Sequence, residues 1–153
     1  MDLPKDQDHE LWVLLAQARE AMHKARQKEL IKYDLSPRQS AVLFAIQAIG
    51  DGATLTDIAR FLFRELHSTS ELLARMEKEG LIEKVKDIKK GSRIRITLTK
   101  KGQEAYKQSS KRESIREIMS CLSEEERQQL WSSLKKIRSR ALQLVMVREL
   151  PFP

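Results

Sequence analysis

Residues 54–98 read TLTDIARFLFRELHSTSELLARMEKEGLIEKVKDIKKGSRIRITL, and the change of period inside them decides the fold. At the start, Leu55, Ile58, Ala59 and Leu62 recur at helical spacing over little more than two turns. After a tight connection a second helix is predicted from about Leu66 to Glu79. Thr69, Leu72, Leu73 and Met76 form its apolar stripe, and Gly80 stops it. The period then falls to two. Residues 81–87 read as a strand and residues 88–92 as a hairpin tip. Arg93 to Leu98 alternates, with Ile94, Ile96 and Leu98 on one face and Arg93 and Arg95 on the other. Two short helices joined by a tight turn, followed at once by a basic two-stranded hairpin, predict a winged helix-turn-helix.

The flanks are helical. Over residues 9–33, Leu11, Leu15, Ala18, Met22, Ala25 and Tyr33 recur at steps of three and four, and no Gly or Pro interrupts them. Asp34-Leu35-Ser36-Pro37 breaks that helix, Ser36 caps the next and Pro37 suits its first position. It runs through Ile49 and ends at Gly50-Asp51-Gly52. Beyond the hairpin, Thr99-Lys100-Lys101-Gly102 opens one long helix to about Leu122. Ser123 and Glu124-Glu125-Glu126 restart the chain as a last helix, carrying Leu130, Leu134, Ile137, Ala141, Leu144 and Val145. The expectation is a mainly α fold with a small β-hairpin. Residues 1–8 are expected to be disordered, residues 35–99 to form the winged domain, and residues 9–34 and 100–148 to form a separate helical region.

At 153 residues with 41% apolar side chains, the chain is long enough for one cored domain. Its net charge of +7 is not spread evenly. Residues 84–101 hold eight Lys and Arg against Asp87 alone, which accounts for the whole excess. A basic stretch this concentrated points to a polyanion, most often nucleic acid. The acidic, polar N-terminus is unlike a secretory signal, and apolar stretches such as residues 11–16 are far too short to span a bilayer, so a cytoplasmic protein without membrane contact is expected. One cysteine, Cys121, excludes an internal disulfide; near a helix end it reads as a packed thiol. His9, His23 and His67 are scattered, no Gly-rich loop could cradle a phosphate, and no nucleophile has a neighbouring base. No metal, cofactor or enzymatic activity is expected.

The chemistry therefore falls on the helix-turn-helix and the hairpin. A recognition helix enters the major groove with its N-terminal side chains at the base edges. His67, Ser68, Ser70 and Glu71 occupy that end, Thr69 falls partly on the apolar stripe, and Arg75 one turn on suits phosphate contact. Lys89, Lys90, Arg93 and Arg95 in the wing, with Arg38 on the preceding helix, complete the candidate DNA-binding set. Leu11, Trp12, Leu15, Trp131, Leu134, Ile137, Leu144 and Val145 are more apolar surface than a winged domain needs. Either a second copy covers them, or they fold onto the winged domain of their own chain. A homodimer would hold two recognition helices one duplex turn apart, ~34 Å.

These segments resemble the MarR family of bacterial regulators. Leu35-Ser36-Pro37-Arg38-Gln39-Ser40-Ala41-Val42-Leu43 is similar to the opening of the family's second helix, and Leu55-Thr56-Asp57-Ile58-Ala59 to its first helix-turn-helix segment. Leu62-Phe63-Arg64-Glu65-Leu66-His67-Ser68-Thr69-Ser70 resembles its turn and recognition-helix start. Met76-Glu77-Lys78-Glu79-Gly80-Leu81-Ile82 and Leu98-Thr99-Lys100-Lys101-Gly102 resemble the entry to and exit from its wing. The likeness covers about residues 10–147. It implies an intertwined dimer through the first and last two helices, double-stranded DNA as partner, and repression of a pseudo-palindromic operator. It also implies release by a small aromatic effector held between dimer helices and winged domain, with Trp12, Leu15, Met22, Phe44 and Tyr106 as candidate lining. Near the wing tip the family commonly carries Asp-Arg-Arg; Lys90-Gly91-Ser92 stands there instead, with the arginines later and the acid missing from that place. Two other functions fit a winged chain: a protein-interaction module without DNA binding, and a sequence-indifferent nucleoid-type binder. The charge of the hairpin argues against the first.

Overall fold

The structure, a computed structural model, describes residues 6–148 and 150–152. The order is α1 (Gln7–Leu30) with a 3-10 turn (Ile31–Tyr33), α2 (Pro37–Ile49), α3 (Leu55–Leu62), α4 (Leu66–Lys78), β1 (Ile82–Asp87), a 3-10 turn (Ile88–Lys90), β2 (Arg93–Leu98), α5 (Lys100–Ser109), α6 (Glu113–Met119) and α7 (Glu124–Leu144). Of the eight N-terminal residues expected to be disordered, 1–5 lie outside the described residues. The other three are ordered: the Asp6 side chain accepts the His9 N–H and starts α1 at Gln7.

The long helix expected after the wing is two. The chain breaks at Arg112, which takes a left-handed φ of 50°. No Gly or Pro marks the place, because a distant residue makes the break. The Glu29 carboxylate on α1 accepts both the N–H and the hydroxyl of Ser114, satisfying the open end of α6.

The core lies where α2, α3, α4, α5 and the hairpin root converge. Leu30, Val42, Leu43, Ile58, Leu73, Met76, Ile82 and Ile96 are fully buried there, each worth about 1.5–3 kcal/mol of transfer free energy. The strands pair antiparallel from Ile82↔Leu98 to Asp87↔Arg93. The Ile96 N–H also donates to the Ala53 carbonyl at 2.7 Å, fastening the wing to the α2–α3 loop. At the wing's exit the Thr99 hydroxyl donates to the Gly80 carbonyl and the Thr99 N–H to that of Leu81. Gly102, in the first turn of α5, lies so close under Leu81 that a Cβ would collide with its carbonyl oxygen. Ile94 shares the inner face with Ile96 but stands beyond the core's edge and is exposed.

Helices α1, α6 and α7 form a second layer. A buried ion pair ties it to the winged domain. Arg26 of α1 binds Glu29 at 2.8 Å, and its other terminal nitrogen donates to Ser40 Oγ of α2 at 3.1 Å and to the Ser109 carbonyl of α5 at 2.7 Å. Burial alone would push the Glu29 carboxyl up. The Ser114 N–H and hydroxyl, with the Arg26 guanidinium, outweigh it and hold Glu29 below the ordinary carboxylate range. Glu29 therefore stays ionised to lower pH in the folded chain than in the unfolded one. Its contribution is complete above the unfolded value and drains as pH falls through the folded one. Replacing it by Gln should cost about 3 kcal/mol near neutrality, as expected for breaking a buried pair. The deficit against wild type should shrink steadily as urea titrations are repeated towards about pH 3; a deficit constant with pH would show that the charge is not its source.

Candidate nucleic-acid interface

Helix α4 is held by one stripe and bare on the other. Thr69, Leu72, Leu73 and Met76 are buried, while His67, Ser68, Glu71 and Arg75 are exposed and Ser70 is half-buried. Thr69 leaves the candidate set: it is 2% exposed, and its hydroxyl donates to the Glu65 carbonyl one turn back at 2.8 Å. Ser68 makes the same kind of bond, at 3.1 Å, from the outer face. His67 Nε2 lies 3.3 Å from Glu71 Oε1, so two of the side chains placed to read bases face each other across one helical turn.

The turn before α4 is set by Phe63, the left-handed residue that ends α3. Its N–H bonds to the Arg60 carbonyl and the next N–H, of Arg64, to that of Ala59. A bulky residue in that conformation costs about 1–3 kcal/mol and marks an over-determined turn. Arg64 is the residue the sequence pattern does not single out. Its pKa is lowered first by burial and then by the charges of Arg38 on α2 and Arg19 on α1. Three guanidiniums, one in the α3–α4 turn and two on α1 and α2, thus raise the positive potential beside α4, and an anion brought among them would relieve the repulsion. Only Arg38 was legible beforehand; the three are too far apart in sequence for any period to link them.

In the wing, Lys89, Lys90 and Arg93 are exposed, as expected. Arg95 is not. Its Nε is buried without a hydrogen-bond partner, in a crevice shared with Asp51, Gly52, Asp87, Lys90 and Arg93. The α2–α3 loop folds against the outer face of β2 there, which strand alternation alone cannot show. The acid missing near the tip is present earlier. Asp87 sits opposite Arg93 in register and accepts the Lys89 N–H at 3.2 Å.

All eight apolar residues proposed for a partner surface are exposed, Trp12 to 71%. Folding them onto their own winged domain, the alternative open at the level of sequence, is therefore not what the chain does. Val13, Leu14 and Leu130 join them, so residues 11–15 are apolar right round α1 and no single face of the chain could cover them. The expected aromatic cleft is only partly assembled. Phe44 and Tyr106 line a cavity of about 380 Å³ with Arg26, Ser40, Arg112 and Phe152, and the Arg112 guanidinium lies 5.3 Å from the centre of the Phe44 ring. Trp12, Leu15 and Met22 are not part of it, because α1 buries only Leu30 and its first half stands clear of α2 and α5. Cys121, expected to be packed, is exposed in the α6–α7 turn. Among the described residues no group of three His, Cys, Asp or Glu could hold a metal, and no helix is long and apolar enough to cross a membrane.

Comparison with known proteins follows the same lines. The profile described as MarR family matches residues 33–91. The chain is 30% identical to the organohalide-sensing transcriptional regulator RdhR-CbdbA1625 in its ligand-free form, covering 100% of this chain and 96% of that one with a TM-score of 0.85. The 2,4-dichlorophenol-bound form of that regulator gives the same TM-score and coverage at 29% identity. MepR of S. aureus, in complex with DNA, is 29% identical over 84% of this chain and 94% of its own, with a TM-score of 0.76. A MarR mutant from E. coli complexed with operator DNA, 20% identical with a TM-score of 0.79 over 90% and 99% of the two chains, shares the fold. No curated protein matches the chain.

The exposed ends of α4 and the wing should separate by mutation. Arg93→Ala should weaken binding to a preferred and to a random duplex alike, and should reduce the slope of log affinity against log salt by about one per protomer. Ser68→Ala and Glu71→Ala should instead shift which sequence is preferred, by about 1–3 kcal/mol at the affected base pair. Fluorescence anisotropy on both duplexes reads each effect; uniform losses from all three variants would contradict the separation.

Proposed function

The chain belongs to the MarR family of transcription regulators, and from that premise we propose that it is a homodimeric repressor of a pseudo-palindromic operator, released by a small aromatic ligand. One observation carries the reading. The net positive charge of the protein lies in and just beyond the hairpin that flanks α4, whose exposed end is polar and whose buried stripe faces its own core. The wing supplies charge for phosphates, and the α4 end supplies hydrogen-bonding groups for base edges.

The second copy is called for by α1 and α7. Leu11, Trp12 and Leu15 on α1 and Trp131, Leu134 and Ile137 on α7 are exposed, and apolar side chains clustered on a helix in this way mark an interface between protein surfaces. Residues 35–99 then serve as the reading unit, and residues 9–34 with 100–148 as the unit that sets the distance between two of them. Bound to the chromosome, the dimer would act in the cytoplasm and repress by occluding a promoter.

Release by a ligand rests on the cavity beside Phe44 and Tyr106. Its walls are aromatic, and Arg112 adds a cation, which suits a phenol or an aromatic acid. The related RdhR-CbdbA1625 regulator has a 2,4-dichlorophenol-bound form. Such a ligand can release the operator only by favouring a spacing of the recognition helices that the operator does not accept.

The test uses purified full chain and the genomic fragments it retains. Sedimentation should show a dimer, and Trp12→Asp should yield monomers with sharply weaker operator binding. If about 6–10 phosphates are neutralised, affinity should fall ~10³–10⁵-fold between 50 and 200 mM salt. A wild-type monomer would sink the dimer. Equal affinity for operator and random duplex would make the protein a nucleoid-type binder, and no binding at low salt would make it an interaction module.

A further inference from the structure

We propose that the segment following α7 is a strap, and that Phe152 is a positioning residue holding the DNA-reading helices in register with the dimer layer. The proposal rests on the operator-binding reading above for its selectivity readout only.

The strap begins with a defined reversal. Met146 takes a left-handed φ of 55°, its N–H bonds to the Gln143 carbonyl at 3.2 Å, and the Val147 N–H bonds to that of Leu142 at 3.0 Å. This two-bond stop turns the chain sharply at the end of a helix. Leu142, the residue that accepts the outer bond, is the one buried residue of α7 among the described residues, so the turn is anchored to the core side of the helix. Met146 itself is almost wholly exposed, so no packing of its side chain explains the left-handed conformation; the reversal is set by the backbone bonds.

The strap ends in an aromatic seat. The Phe152 ring lies 5.5 Å from Phe61 of α3 and 6.0 Å from Phe44 of α2, edge-on to both, while Phe44 and Phe61 stand 5.8 Å apart. Two edge-to-face pairs and one tilted pair hold the three rings more strongly than burial of their area alone would predict. Between the two ends Val147, Arg148 and Leu150 face Ala59, Arg60, Phe63 and Leu66 across a crevice at the α3–α4 turn. The strap thus runs from the C-terminus of α7 to the elements that aim α4. Phe152 also closes one side of the 380 Å³ cavity, so a ring entering that cavity meets the anchor of the strap.

Three forms of the full chain decide the matter: wild type, F152A and F152Y. Hydrogen exchange is read over residues 37–62. The ratio of affinities for a genomic duplex selected by the wild type and for a random duplex is read on the same preparations. F152A should exchange faster over α2 and α3 and lose about tenfold in the ratio, with its affinity for random duplex unchanged because the wing is untouched. F152Y should match wild type in both. Unchanged exchange in F152A would overturn the seat, and faster exchange with an intact ratio would overturn the positioning role. If wild type itself showed no preference between the duplexes, the proposed function would fail, and the exchange data would still decide whether the strap is seated.

Discussion

Burial of one narrow stripe, Thr69, Leu72, Leu73 and Met76, holds the recognition helix from behind and makes everything in front of it available. The stripe costs α4 no charged or hydrogen-bonding side chain except Thr69, whose hydroxyl is satisfied within the helix itself. His67, Ser68, Glu71 and Arg75 can therefore vary in chemistry without disturbing the fold. The same core residues that receive the stripe, Ile58 and Ile82 among them, also position α3 and the hairpin root. Helix α4 and the charged wing consequently keep a fixed relation to each other.

Much of this was legible because it is periodic. The stripe of α4, the alternation of β2 and the serine caps at Ser36 and Ser123 each declare themselves within a few residues, and the structure adds the reciprocal bonds from Gln39 and Glu126 that complete the two capping boxes. What stayed hidden was the backbone geometry of the stops, more than their place. Four helical segments end in the same pair of hydrogen bonds around a left-handed residue: Asp34, Phe63, Gly80 and Met146. Only at Gly80 is that residue the glycine that sequence reading looks for. At the other three an exposed side chain takes that conformation, and the pair of backbone hydrogen bonds holds it there. The break at Arg112 is hidden as well, since its cause, Glu29, lies more than eighty positions away.

The candidate site residues divide in the same way. Those whose role follows from standing on an exposed face, such as Lys89, Lys90 and Arg93, were visible from the hairpin pattern. Those whose role depends on a neighbour from another element were not. Arg64 gains its importance from Arg38 and Arg19, and Arg95 loses its freedom to the α2–α3 loop. Charge concentrated in one segment can be counted in a sequence; charge gathered by the fold has to be seen in space. The two differ physically. Wing lysines on a solvated hairpin are screened and adaptable, whereas the partly buried Arg64 feels the like charges of Arg38 and Arg19, a repulsion that an incoming anion would relieve.

The two layers of the molecule meet through polar and aromatic contacts more than through a continuous apolar core. Only Leu30 of α1 and Leu142 of α7 are buried, and the work of joining the layers falls to the Arg26–Glu29 pair and to the rings of Phe44, Phe61 and Phe152. A large apolar seam would lock the winged domain at one angle. Here the connection is made instead by a few directional contacts at two points. Both points touch the same cavity: Arg26 lines it from one side and Phe152 from another. The cavity is thus bounded by side chains from both connections between the helical layer and the winged domain.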